Sequence, residues 1–314
     1  MKKTTEILIF YTFLKIISAL TWKQNPSPEI QFLDVGQGDA ILINAPGPKW
    51  ILIDGGEDFT VSWYLNQVFP LNNCHLDAVF LTHPHSDHLG GLVRVLNQCT
   101  VDRIFYSPIS CESSLCGEWE NLISNAGFGI RKKPIVESFS LGDKYTLDEK
   151  SYLYCLWPSR DFVEKIRQDI DSRKSVNLNN ISTVILLDSG KFEALLTGDA
   201  ELEIWEKIRS AWLAESKIEN SGLNTLEPQS ADTFHIMSHI DGKLDVYKLP
   251  HHGSKNGLDH EIWLRLNPFL SVISVGKDNK FNHPSKEVLD WLAENKAYYK
   301  RTDLEGTVKI RYNF

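Results

Sequence analysis

No CxxC pair and no zinc-knuckle spacing occurs among the five cysteines of this 314-residue chain, Cys74, Cys99, Cys111, Cys116 and Cys155, which argues against thiolate-held metal. Cys111 and Cys116 stand close enough to bridge in an oxidising compartment, and partly buried free thiols are an equal expectation. Positive charge is also short, with 33 lysines and arginines against 41 carboxylates and a formal net charge of −8. The surface as a whole does not attract polyanions, so any contact with nucleic acid must rest on a local patch or on bound cations. The run "RKKP", Arg131 to Pro134, reads as a solvated loop rather than such a patch. Low-complexity tracts and interdomain linkers are missing, and residues 23–314 read as one domain. The N-terminal apolar stretch from Ile7 to Leu14 is broken by Lys15 and is short for a transmembrane helix. With Lys2 and Lys3 ahead of it, residues 1–22 are expected to be an export signal or a membrane anchor that leaves the rest outside the cytoplasm.

What is present is ample core material, 42% hydrophobic and 11% aromatic, in a repeating order. "IQFLDV", "AILINA" and "KWILIDGG" are separated by "GQGD" and "PGP", the punctuation of an antiparallel meander. "DAVFLTH" is a continuous apolar run that suits a strand buried on both faces. Leu89, Leu92, Val93 and Leu96 then fall at i, i+3, i+4 and i+7, which predicts a core-facing helix. The second half repeats this sequence of elements: "STVILLDSGKFEALLTGDAE" is again a hairpin ending in aspartate, and "LDVYKLPHHGS" parallels "LDAVFLTHPHS". Asp54 thus matches Asp199, and the His83 region matches the His251 region. Two packed sheets with helices outside are expected, with both histidine-bearing strand ends at one edge. "PSRDFVEKIRQDIDSRKSVNLNN" reads as a helix plus loop, and "NSGLNTLEPQSADTFHIMSHIDGK" as a surface insertion.

The junction "LTHPHSDHLGGL" crowds His83, His85, Asp87 and His88 into one turn. In an extended segment His83, His85 and Asp87 share a face, while His88 opens the helix. Imidazole and carboxylate suit zinc, manganese or iron, and four such groups exceed what a single tetrahedral ion with an open position needs. Two divalent ions are therefore implied.

These strings carry a family resemblance. "THPHSDH" resembles the HxHxDH signature of the metallo-β-lactamase superfamily, "LTGDA" its bridging-aspartate strand and "PHHGS" its late histidine. More narrowly, "FLDVGQGDAILI", "LIDGG", "LLTGDAE", "LPHHGS", "SVGKDNKFNHPSKEVL" and "RTDLEGTVKI" resemble, in matching order, the C-terminal hydrolase domain of ComEC-type DNA-uptake proteins. The resemblance implies an α/β fold, a four-layer αββα sandwich of two similar halves, and a metal-dependent hydrolase. It also implies site roles. His83 and His85 would hold one ion, Asp87, His88 and His252 a second, and Asp199 would bridge them, with the roles of His251 and His252 open to exchange. Asp54 would orient the histidine loop through hydrogen bonds. Where the superfamily places a further metal histidine, "NNISTVILL" offers Asn180, a harder and weaker ligand that leans the first site toward manganese. His235 and His239, at i and i+4, are read as surface histidines.

Divalent ions in such a set, Zn²⁺ or Mn²⁺, lower the pKa of water and offset charge on phosphate oxygens. Asp87, Asp199, His251 and His283 are the expected catalytic groups, with Lys277 at the substrate and Lys255 and Lys280 nearby in sequence. The expected activity is phosphodiester hydrolysis with nucleic acid, DNA first, as the substrate. The alternatives are hydrolysis of a small ester, lactone or amide at the same centre, or a non-catalytic metal-stabilised module of a DNA-handling assembly.

Overall fold

The computed structural model describes residues 27–47, 49–69, 73–109, 111–124, 133–219, 237, 240 and 244–313. The expected export or anchor segment, His235 and His239 lie outside them. The predicted meander forms as β1 (Glu29–Phe32), β2 (Ile41–Ala45) and β3 (Lys49–Ile53), all antiparallel neighbours. β4 (His75–Leu81), β5 (Thr100–Tyr106) and β6 (Ile135–Glu137) add in parallel. The second sheet repeats the scheme. β7 (Lys144–Thr146), β8 (Tyr152–Trp157), β9 (Val184–Asp188) and β10 (Glu193–Leu196) are antiparallel, and β11 (Val246–Lys248), β12 (Leu270–Ile273) and β13 (Tyr299–Arg301) are parallel. β14 (Val308–Arg311) returns to the first sheet and pairs with β1. The orders β14-β1-β2-β3-β4-β5-β6 and β7-β8-β9-β10-β11-β12-β13 are thus counterparts, as the repeated sequence predicts.

Strand alternation builds three apolar layers. Ile41, Ile43, Ile51, Ile53, Ala78 and Phe80 of the first sheet meet Ile185, Leu187, Ala194, Leu196 and Val246 of the second in the central core. The opposite parity, including Leu42, Leu52, Val79 and Leu81, faces α1 (Thr60–Val68), α2 (Ser86–Gln98) and α3 (Ser114–Ser124). After α4 (Arg160–Asp171), the outer face of the second sheet is covered by α5 (Leu202–Glu219), α6 (His260–Leu266) and α7 (Lys286–Glu294), through residues such as Ile204, Trp205, Trp263 and Leu292. Each fully buried large aliphatic or Phe side chain contributes roughly 1.5–3 kcal/mol. The result is the expected four-layer αββα sandwich. Among the described residues no helix is long and apolar enough to cross a membrane.

Two expectations are corrected. Asp87 is not on an extended segment with His83 and His85; α2 begins at Ser86, so Asp87 and His88 share its first turn. The cysteines are mostly bridged: Cys111 joins Cys116 and Cys74 joins Cys99, with Cα atoms 5.9 and 4.7 Å apart, and only Cys155 is free and buried. The Cys74–Cys99 bridge ties the start of β4 to the end of α2, closing the unit that carries the histidine turn.

The paired glycines of "HLGGL" let α2 seat on the chain after β3. A Cβ at Gly91 would lie 2.0 Å from the Gly55 carbonyl oxygen, and one at Gly90 would lie 2.0 Å from that of Glu57. Gly91→Ala is therefore expected to destabilise the fold by about 1–3 kcal/mol, the usual range for overpacking. An unchanged denaturant midpoint would show that α2 can lift off this seat freely.

Candidate metal centre

The ligand-type side chains sit where parallel strands end. β3 leads into Asp54, β4 into His83, β10 into Asp199 and β11 into His251 and His252, so two hairpin–aspartate–strand–histidine units deliver their polar ends to one seam. Oδ2 of Asp199 lies at its middle, 3.4 Å from Nε2 of both His88 and His252, 3.8 Å from Nε2 of His251 and 4.0 Å from Nε2 of His83. Asp87 Oδ2 stands 3.4 Å from His252 Nε2. His85 adjoins His83, Nδ1 to Nε2, at 3.0 Å.

Inward aim is enforced from behind. His88 Nδ1 donates to Asp54 at 2.8 Å, and Asp54 also accepts from the Thr82 backbone N–H and hydroxyl, at 2.8 and 2.7 Å. His252 Nδ1 donates to the Ser274 carbonyl at 2.8 Å. Both rings thus keep Nε2 free and turned inward, the arrangement in which a partner on one imidazole nitrogen orients the other toward a metal. His251 and His252 reach the seam through consecutive left-handed backbone conformations, with φ of 49° and 54°, a strain that L-residues hold only where the surroundings over-determine it.

Buried polar atoms left without a hydrogen bond test whether a cation fits. His88 Nε2, His252 Nε2 and Asp199 Oδ1 are such atoms, where a buried unpaired polar atom would ordinarily find a partner. One ligand atom from each of His83, His88 and Asp199 lies within 4.8 Å of the others, and the same holds for Asp87, His88 and His252. Imidazole nitrogens and carboxylate oxygens at this spacing fit divalent cations.

Electrostatics agree. Burial opposes charge on His88, but Asp199 and Asp54 outweigh it and hold its pKa well above the usual value. Burial is likewise overcome at His252, where Asp199, Asp87 and Asp39 push the pKa up to about 10. Asp199 is driven well below the carboxylate range by His252 and His88 despite its burial. Asp87 is lowered in the same way by those two histidines, again against burial. His83 and His85 are depressed, first by burial and then by His88. Burial raises Asp54, outweighing the pull of His88.

The remaining predicted residues surround this group. His251 is partly exposed, with Nδ1 3.3 Å from Glu201 Oε1. His283 stacks edge-on to His251 at 5.5 Å between ring centroids; burial, then His251 and His252, push its pKa down to about 4. Asn180 is buried and donates its amide to Glu203 at 2.9 Å, while its Oδ1 has no hydrogen-bond partner. Ser182, two residues on, is what reaches His83 Nδ1, at 3.2 Å, and it accepts from the Asp199 N–H at 3.1 Å. Lys277 is exposed on the loop after β12.

Sequence reasoning missed two buried charges. Lys248, fully buried on β11, places Nζ 2.8 Å from Asp39 Oδ2 and donates to the carbonyls of Gly198 and Leu249, both at 3.1 Å. Three acceptors satisfy its three N–H groups. Asp39 Oδ1 in turn faces His252 Nδ1 at 3.6 Å. A lysine inside the apolar run "VYKLP" was the available signal, since a charge at a core position needs a buried partner.

Residues 33–152 match the metallo-beta-lactamase superfamily. With the fold and the candidate site, this match makes the chain similar to the metal-dependent hydrolases of that superfamily. Among curated proteins it is similar to ComE operon protein 3 of Bacillus subtilis (strain 168), at 26% identity over 90% of this chain and 33% of that protein. It is also similar to Recombination protein 2 of Haemophilus influenzae (strain ATCC 51907 / DSM 11121 / KW20 / Rd), at 26% identity over 98% of this chain and 31% of that protein. The chain spans about a third of the length of these relatives. Zn(2+)-bound PqqB from Methylobacterium extorquens superposes with a TM-score of 0.48 at 9% identity, covering 88% of each chain.

A divalent ion entering the seam must displace the protons that the neighbouring carboxylates hold on His88 and His252. Both pKa values are raised, and lowering the pH strengthens proton competition at these nitrogens. Metal affinity is therefore expected to weaken from pH 8 to pH 6, with about one proton or more released per ion. Calorimetry in buffers of different ionisation enthalpy checks this, and proton-free uptake at pH 7 contradicts it.

Proposed function

We propose that the chain is a two-metal phosphodiesterase that acts on nucleic acid, DNA first. The observation that carries the proposal is the position of Asp199, whose single carboxylate lies within 4.0 Å of histidine nitrogens from both halves of the fold. In this proposal His83 and His85 hold one ion, Asp87, His88 and His252 the other, Asp199 is shared, and Asn180 is at most a weak ligand of the first. Zn²⁺ or Mn²⁺ held there would lower the pKa of water and offset charge on the phosphate. The resemblance to ComEC-type DNA-uptake proteins supports a nucleic-acid substrate.

The chain's own groups supply the rest. Asp54 and the Ser274 carbonyl fix the tautomers of His88 and His252, so both present Nε2 inward. Glu201, held by the amides of Asn177 and Asn179 at 2.9 Å each, braces His251 at the open side of the centre. That position suits His251 to meet a leaving alkoxide. His283, kept neutral near pH 7, is suited to hydrogen-bonding rather than to proton donation. We propose as well that the protein works outside the cytoplasm, with residues 1–22 as its export signal or membrane anchor; two disulfides support an oxidising compartment.

Purified protein loaded with Mn²⁺ or Zn²⁺ is to be tested on single- and double-stranded DNA, RNA, bis-p-nitrophenyl phosphate and a neutral lactone. About two ions per chain are expected by elemental analysis, with clear loss in Asp199→Ala; saturation at one ion overturns the two-metal reading. DNA cleavage should show a KM that rises with salt, with a shallow slope of about two to four counterions. Lys277→Ala combined with Lys280→Ala should raise KM more than it lowers kcat. Efficient lactone turnover with no nucleic-acid cleavage assigns the small-ester alternative instead.

A further inference from the structure

A ladder of rings leads outward from the centre. Asp199 Oδ2 lies 3.8 Å from His251. His251 meets His283 edge-on at 5.5 Å, and His283 stacks on Phe281 at 6.0 Å with an interplanar angle of 17°. Phe281 is 50% exposed, and the Lys280 ammonium stands over its ring, 5.0 Å from the centroid. Phe281 thus presents an accessible aromatic ring at the outer end of the ladder.

The loop is rigid by construction. The Asn279 amide accepts from the Phe281 and His283 N–H groups, at 3.2 and 3.0 Å, and donates to the carbonyls of Gly276 and His283, at 2.9 and 2.6 Å. Two donors and two acceptor sites are the whole capacity of a primary amide. The loop is also docked on the metal-proximal turn: Ser285 N–H donates to the Gly253 carbonyl at 3.0 Å, and a Cβ on Gly253 would lie 2.6 Å from Pro284. Phe281 is therefore held at a fixed offset from His252 and Asp199 rather than left on a free tip.

We propose that Phe281 is a stacking platform for one nucleobase of an unpaired strand, so that the substrate class is single-stranded nucleic acid. The proposal rests on the nucleic-acid reading above. A strand with a phosphate at the centre can run outward along this ladder and lay an unpaired base over the Phe281 face, while the flexible Lys280 stem carries its ammonium from the ring to a phosphate. An aromatic face accepts any base, which gives strand binding without sequence preference. Bases within a duplex are already stacked and must be extruded at a cost, so duplex is the poorer substrate.

Two measurements test the platform. Oligothymidylate substituted with 5-iodouracil and made cleavage-resistant by phosphorothioate linkages, irradiated with the Mn²⁺-loaded full chain and mapped by mass spectrometry, is expected to cross-link at Phe281. With Mn²⁺, kcat/KM is compared between a single strand and the same strand carrying abasic sites beside the scissile phosphate. The wild type should favour the base-bearing strand by about tenfold, the size of one base–aromatic stack; Phe281→Ala should erase that preference and Phe281→Trp should keep it. A preference undiminished in Phe281→Ala, or cross-links only elsewhere, overturns the platform while leaving the nuclease reading intact. Failure of the wild type to cleave or cross-link any strand overturns both.

Discussion

Charge buried at a desolvated seam is the constraint on which the rest of the structure depends. Asp39, Asp54, His83, His88, Asp199, Lys248 and His252 are each no more than 2% exposed. Polar and charged groups taken from water in this number would unfold a domain unless each found a partner. The pairing is layered. Lys248 matches Asp39, Thr82 and His88 match Asp54, and the Ser274 carbonyl takes the outer nitrogen of His252. What this matching leaves over is the inner set, the Nε2 atoms of His88 and His252 around Asp199, for which a cation is the natural complement.

The topology exists to bring these groups together. Parallel strands end at the same edge, and a duplicated unit doubles the supply of loops there. Close approach then becomes the difficulty. The "GQGD" turn can bring Asp39 in only because Gly38, at φ 118°, has no side chain: a Cβ would lie 1.9 Å from the Asp87 carbonyl oxygen. The same economy of space explains Gly198, which precedes the shared aspartate and passes between Ser182 and Thr82. Substitution at these places would act on the geometry of the seam before it acted on its chemistry.

Much of this was legible in the order of residues. Periodicity placed β4 and α2, the repeated hairpin–aspartate–strand–histidine pattern brought both histidine-bearing strand ends to one edge, and the family resemblance set Asp199 between them. What was not legible depends on partners remote in sequence. Asp39 reads as turn punctuation until Lys248 is seen beside it, and the partner of Lys248 is known only once β11 is seen to lie between β10 and β12. Cys74 and Cys99 carry no spacing signature, because it is the length of β4 plus α2 that brings them back together. Asn180 and Ser182 show the limit at finer scale. Both lie in "NNIST", and only the turn after residue 181 decides that the serine meets His83 while the asparagine meets Glu203.

The sign of the charge at the mouth bears on how such a site meets its ligand. Asp87 and Glu201, with side chains 19% and 20% exposed, flank the buried Asp199, and Asp87 and Asp199 are held ionised by the histidines beside them. A phosphate approaching protein atoms alone would face these carboxylates on a chain that already carries a net charge of −8, and at such short range repulsion is scarcely screened. The centre is thus a cation site first, and only with its cations in place does it become a site for anions. Contacts that do not depend on charge then gain weight in holding a polyanion, and the exposed ring of Phe281 beside His283 is a contact of that kind.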